Sequence, residues 1–153
     1  CDNDKKIPKD VIGFKKLLYK IWFELYSRSR NGKKDSSGFE HVFVGEVKEM
    51  KDVNGKATGK KEVSGFHNWI QFYYEEKKGT SIDCKGYIKP RGKQAATNED
   101  DHILTLQFSW GGVMKNVGTS IIGSSPEFEV GLYTMCFLVG QENNRLHLHT
   151  CSS

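Results

Sequence analysis

Two of the chain's five histidines share the same lead-in, in Ser37-Gly38-Phe39-Glu40-His41 and in Ser64-Gly65-Phe66-His67. Imidazole titrates near neutral pH, so two of them can serve one reaction as base and acid. On a phosphodiester, that chemistry also needs a cation facing the anionic transition state. Lys115 is the candidate: it sits in Trp110-Gly111-Gly112-Val113-Met114-Lys115-Asn116-Val117-Gly118-Thr119, a glycine-rich, apolar setting. His, His and Lys are the parts needed when a ribose 2′-hydroxyl attacks its own phosphate and leaves a 2′,3′-cyclic phosphate. By type and spacing alone, the same residues also fit a bland reading, with two hydrogen-bonded histidines at element ends and a surface lysine.

Charge is distributed unevenly around these candidates. The net +4 of the 153-residue chain combines a basic first part with an acidic second part. Residues 1–93 hold 21 of the 23 Lys and Arg against 13 acids, a balance of +8; residues 94–153 hold only Lys115 and Arg145 against six acids, a balance of −4. A basic front half suits a polyanion such as nucleic acid, although solvated lysines on helices and loops give the same totals.

Periodicity indicates the elements that must position the candidates. Phe14, Leu17, Leu18, Ile21, Trp22 and Leu25 recur at helical spacing and predict an amphipathic helix over about residues 10–27. Residues 29–38 read as a loop, and His41 to Lys48 alternates with β-branched residues like a strand. Lys51 to Lys61, with Asn54-Gly55 and Thr58-Gly59, reads as a hairpin tip or exposed insertion. Trp69, Phe72 and Tyr73 begin a short helix that Gly79 ends. Strands are expected at about 86–90, 102–109 and 115–122, with a polar loop from Arg91 to Asp101. Ser125-Pro126-Glu127 opens a helix with an N-cap, Pro at N1 and an acidic first turn; Phe128, Leu132, Cys136 and Val139 share one face, and Gly140 ends it. Arg145 to His149 alternates like a last strand. Helices and antiparallel strands without a βαβ rhythm predict an α+β fold, in one domain long enough to bury a core.

The remaining candidates are weaker. His147 and His149 alternate on the last strand and read as a surface pair; His102 reads as a loop residue. Trp69, Phe72 and Tyr73 could stack on bases, but an aromatic stripe on a helix is more often core. Cys1, Cys84, Cys136 and Cys151 lack the C-x-x-C spacing of a zinc site, and a disulfide framework stays open. No apolar run approaches the roughly 18–20 residues of a membrane span. A start at Cys1-Asp2-Asn3, with neither initiator Met nor signal peptide, reads as a processed or partial product.

Several runs resemble the EndoU family of uridylate-specific endoribonucleases: Ser36-Ser37-Gly38-Phe39-Glu40-His41-Val42-Phe43-Val44-Gly45-Glu46, Gly65-Phe66-His67-Asn68-Trp69-Ile70 and Gly123-Ser124-Ser125-Pro126-Glu127-Phe128-Glu129. The preceding Leu18-Tyr19-Lys20-Ile21-Trp22-Phe23-Glu24-Leu25-Tyr26-Ser27 is also similar to the family's helix before its first motif. The resemblance covers nearly the whole chain, in the family's order. It implies that His41 and His67 are the catalytic histidines, Lys115 the catalytic lysine, and Glu40 and Glu46 supporting acids. Thr119 would hold the position of a uracil-reading serine. The implied substrate is single-stranded, U-rich RNA, cut to cyclic-phosphate ends by a protein expected to be monomeric and, by the same resemblance, secreted. Manganese is implied as cofactor by resemblance alone, with no ligand set legible in the sequence. The family's region normally extends further at both ends, with a closing aromatic that stacks on uracil. Residues 1–153 are therefore expected to be an EndoU-like domain lacking part of its N-terminal lobe and its C-terminal edge, with weaker uridine preference. Glu49 to Lys61 reads as an insertion between the two histidines. The alternative is an RNA-binding module of the same fold that does not cleave.

Overall fold

A computed structural model of the chain describes residues 7–27, 33–79, 81–89 and 102–140. The expected last strand, with His147 and His149, lies outside these residues, as do the whole of the loop 91–101, Cys1 and Cys151. The chain divides into two compact units, residues 1–21 with 124–153, and residues 22–123.

The first unit holds most of helix α1 (Val11–Phe23) and all of α3 (Pro126–Val139). Asp10 starts α1: its carboxylate accepts from Gly13 N at 2.6 Å and its carbonyl from Phe14 N at 3.0 Å. The helix ends at Phe23, four residues before the expected limit, and Leu25 beyond it is exposed. Ser125 caps α3 by accepting from Phe128 N at 3.2 Å, with Pro126 as first residue and Gly140 as C-cap, as the sequence predicts. The buried face of α3 differs from the expected one. Phe128 and Val139 are exposed, while Glu129 and Thr134 are buried. The buried Glu129 carboxylate accepts from Ser124 Oγ at 2.6 Å, and the neighbouring Phe128 is exposed.

The second unit contains every candidate catalytic residue. It holds a π-helical turn (Glu40–Val44), the hairpin β1 (Glu46–Lys51) and β2 (Ala57–Ser64), helix α2 (Trp69–Lys77), and an antiparallel meander of β3 (Ile82–Tyr87), β4 (Ile103–Trp110) and β5 (Val113–Ile121) in the order β3-β4-β5. The hairpin turn is built on Asp52, whose carboxylate accepts from Asn54 N at 2.9 Å and Lys56 N at 2.8 Å, with Gly55 at φ +79°. Most of the expected insertion is thus paired strand, exposed from Glu49 to Glu62. β3 starts earlier than expected, with Ile82 paired to Trp110.

Val63, Phe66 and Phe108 form the buried core of this unit, with Phe72, Ile82, Leu106, Trp110 and Val113 packed around them. Phe72 meets Phe108 edge-on at 5.1 Å between ring centroids, so this part of the aromatic stripe is core; Tyr73 is exposed. A second aromatic group, Trp22, Phe23, Phe39 and Phe43, packs under the π-helical turn, with Trp22 and Phe43 centroids 5.6 Å apart. The helices and antiparallel sheets bear out the α+β class.

Candidate active site

The backbone places His41 first. Its segment is not the strand that alternation predicts but a π-helical turn, closed by Gly45 N donating to Glu40 O at 2.8 Å. Ser37 starts the turn, accepting from Glu40 N on its hydroxyl at 3.1 Å and from His41 N on its carbonyl at 3.0 Å. The local signal is Ser37-x-x-Glu40, the spacing of a helix-opening capping box, and it outweighs the alternation of Val42 and Val44.

The turn offers carbonyls to the second histidine segment. His41 O accepts from Phe66 N at 2.8 Å, and Val42 O accepts from His67 N at 2.9 Å and Asn68 N at 3.1 Å. So close an approach requires glycine at 65: a Cβ there would lie 1.9 Å from His41 O, and Gly65 sits at φ +67°. Phe66 comes next at φ +63°, a strained conformation for a non-glycine residue, which its nearly complete burial in the core sustains. Asn68 then caps α2, accepting from Gln71 N at 3.0 Å.

These restraints bring the imidazoles edge-on, with ring centroids 5.5 Å apart and planes at 60°. Their surroundings differ. His67 Nδ1 lies 2.9 Å from the carbonyl of Thr119 on β5, so Nδ1 carries the proton and Nε2 has the free lone pair. Burial lowers the proton affinity of His67 below the usual imidazole value; the Thr119 carbonyl acts against this, and the positive charge of Lys115 adds to it. His41 Nδ1 instead faces the Glu46 carboxylate at 3.5 Å. Glu46 is nearly buried, and its other oxygen accepts from Ser36 Oγ at 2.6 Å and meets Lys48 Nζ at 3.0 Å.

Lys115 lies on β5 opposite Phe108, and its side chain runs over Gly118, where a Cβ would come 3.4 Å from Lys115 Cγ. A register shift between Leu106 and Phe108 lets residues 115 and 118 approach in this way. Of the other expected site residues, Glu40 is half-buried and acts through its backbone in closing the turn. Thr119 touches His67 with its carbonyl, while its hydroxyl pairs with Thr105 Oγ1 at 3.2 Å. Nothing in the sequence pairs Ser36 or Lys48 with Glu46, because these contacts form only when β1 folds back beside the 33–37 segment.

A cavity of about 770 Å³ beside β1, whose lining includes Glu40, Glu46 and Lys48, takes in none of His41, His67 and Lys115. Among the described residues, no three His, Cys, Asp or Glu side chains are grouped to hold a metal ion. Glu46, the carboxylate at the histidine pair, is engaged by Ser36 and Lys48, so these residues do not fit manganese. Cys84 and Cys136 are free thiols, and no described helix is long and apolar enough to cross a membrane.

The family described as Endoribonuclease XendoU matches residues 1–153. This chain belongs to the XendoU family. It is 52% identical over 132 residues to uridylate-specific endoribonuclease B of Danio rerio, covering 86% of this chain and 43% of the relative. It is also 52% identical over 128 residues to poly(U)-specific endoribonuclease-B of Xenopus laevis, covering 84% of this chain and 40% of the relative. A solved structure titled "The structure of XendoU: a splicing independent snoRNA processing endoribonuclease" superposes with a TM-score of 0.64 at 47% identity, over 88% of this chain and 45% of that one. The chain therefore spans about two fifths of the length of these XendoU relatives.

Proposed function

We propose that residues 22–123 carry the catalytic centre of a uridylate-specific endoribonuclease that cleaves single-stranded, U-rich RNA. His67 is the base: its Nε2 takes the proton of the ribose 2′-hydroxyl, and the 2′-oxygen attacks phosphorus. His41 is the acid: it gives a proton to the departing 5′-oxygen as the P–O bond breaks, leaving a 2′,3′-cyclic phosphate. Lys115 faces the negative charge that builds on the phosphorane oxygens. One observation carries the assignment, the contrast between paired imidazoles. His67 is buried with its Nδ1 proton on a carbonyl, which suits a neutral base, and His41 faces a carboxylate, which suits a charged acid. The names of the relatives, uridylate-specific and poly(U)-specific endoribonucleases, support the substrate.

Thr119 is the base-reading residue in this proposal. Its hydroxyl, shared with Thr105, can both donate to and accept from a pyrimidine edge. The lysines of the basic first part attract the phosphate backbone without regard to sequence. Incubation with a fluorescent oligouridine, with end-group analysis of the products, tests the reading. Cleavage with cyclic-phosphate ends is expected, and retention of RNA without cleavage would make the chain a binding module instead.

A further inference from the structure

Two residues outside the catalytic set close on the carboxylate that faces His41. Ser36 is fully buried, and its hydroxyl donates to Glu46 Oε2 at 2.6 Å. Lys48 Nζ lies 3.0 Å from the same oxygen and donates to Ser36 Oγ at 2.7 Å. A hydroxyl has one proton to give; with a lone pair taken up by Lys48, its own O–H is committed to Glu46. The three groups form a ring around Oε2 and leave Oε1 toward His41 Nδ1, 3.5 Å away. Ser36 is anchored from outside the ring by Tyr26 N, which donates to its carbonyl at 2.8 Å. Lys48 comes two residues after Glu46 on β1, so both side chains leave the same face of the strand. Glu46 and Lys48 side chains are 8% and 25% exposed, shielded enough for their charges to be felt locally.

We propose that Ser36 and Lys48 are positioning residues for His41: Ser36 fixes the Glu46 carboxylate toward the imidazole, and the Lys48 ammonium offsets part of its charge. The role given to His41 rests on the nuclease reading; the ring does not. A general acid must release its proton to the leaving oxygen as well as hold it. A bare carboxylate in a partly buried setting would hold the imidazolium proton too firmly, and a cation on the far oxygen weakens that hold. Among the described residues, the charged and titratable groups facing His41 include Glu46 from β1 and His67 from the segment between β2 and α2, whose own titration feels Lys115 of β5, with Glu40 next to it on its own turn. Lys48 acts through Glu46.

NMR titration of the His41 imidazole, with kcat and KM on oligouridine, tests this in the whole chain. In Lys48→Met the His41 midpoint should rise by about half a pH unit, the scale of one nearby, partly screened charge. The alkaline limb of kcat should rise with it, with KM unchanged, and Lys48→Arg should stay near wild type in both. Ser36→Ala should lower kcat roughly tenfold at constant KM, the scale of one hydrogen bond to a charged group. If Ser36→Ala does not fold, Lys48→Met carries the test alone. An unmoved His41 midpoint in Lys48→Met, with only the melting temperature lowered, would make the ring a structural strut and overturn the proposal. A shifted midpoint in a protein that cleaves no RNA would uphold the positioning and overturn the nuclease reading instead.

Discussion

Ser37-Gly38-Phe39 and Ser64-Gly65-Phe66 read alike, yet their backbones and surroundings diverge. The first opens a helical turn: Ser37 caps it, Gly38 needs no positive φ, and Phe39 packs against Phe43 and Phe23. The second leaves a strand through two positive-φ residues and buries Phe66 in the main core. The first histidine ends beside a carboxylate and the second beside a carbonyl and a lysine. Two copies of one short sequence thus deliver the same side chain into opposite electrostatic settings. The elements packed around each lead-in, more than its three residues, decide which proton each imidazole keeps.

Breaking either half of this pair should have the largest effect. His41→Ala and His67→Ala should each lower single-turnover cleavage by about 10²–10⁴-fold, the usual contribution of a general acid or base. RNA affinity measured on the same preparations should barely change, because phosphate attraction comes from many lysines. Full activity in either variant would remove that histidine from the reaction.

Lys115 sharpens the contrast, because its charge bears on one histidine's titration and, in the proposed reaction, on the phosphorane. Lys115→Ala should cost roughly 10²–10³ in cleavage rate. Its charge lowers the proton affinity of His67, so its removal should raise the His67 titration midpoint, moving the acid limb of the rate profile toward neutral pH. Lys115→Arg should rescue only in part, since a planar guanidinium does not reproduce a compact ammonium. Near-normal cleavage by Lys115→Ala would leave the pair without its electrostatic partner.

A smaller effect separates the two glycines. Gly65→Ala would put a methyl 1.9 Å from His41 O at φ +67°, so it should destabilise the fold by about 1–3 kcal/mol or more and displace both histidines. Gly38→Ala, at a residue without positive φ, should change stability far less in the same urea titration. Equal losses would contradict the difference between the two lead-ins.

The smallest effect is on stability against pH. The folded His67 binds its proton less well than the unfolded imidazole, whose ordinary value is 6.5. The unfolded state therefore takes up more protons as pH falls through that value, and stability declines toward acid and is flat above it. In thermal melts between mildly alkaline and mildly acid pH, wild type should lose stability relative to His67→Gln below about 6.5. Parallel curves would mean that His67 is not held neutral.

The sequence carries more of the site than of its geometry. Ser125-Pro126 is legible as a helix start because capping is local, and the hairpin turn because Asn54-Gly55 states its own backbone. The π-helical turn reads as a strand because Val42 and Val44 alternate, and alternation says nothing of the tertiary hydrogen bonds that offset the cost of a wide turn. Periodicity misplaces the inward face of α3 because a buried Glu129 depends on Ser124, a contact that hydrophobic spacing does not register. His41, His67 and Lys115 stand out by type and family resemblance. That His67 leans on a backbone carbonyl, 52 residues away in sequence, is learned only from the fold.

Leaving-group substitution separates the two histidine roles most directly. An oligouridine whose scissile 5′-oxygen is replaced by sulfur leaves as a thiolate, the conjugate base of a thiol with a pKa of about 8.5, and needs no general acid. Cleavage of this substrate by His41→Ala should return to near the wild-type rate, while His67→Ala should stay as impaired as on the oxygen substrate. Rescue of His67→Ala and not of His41→Ala would reverse the roles, and rescue of neither would contradict general-acid catalysis by either imidazole.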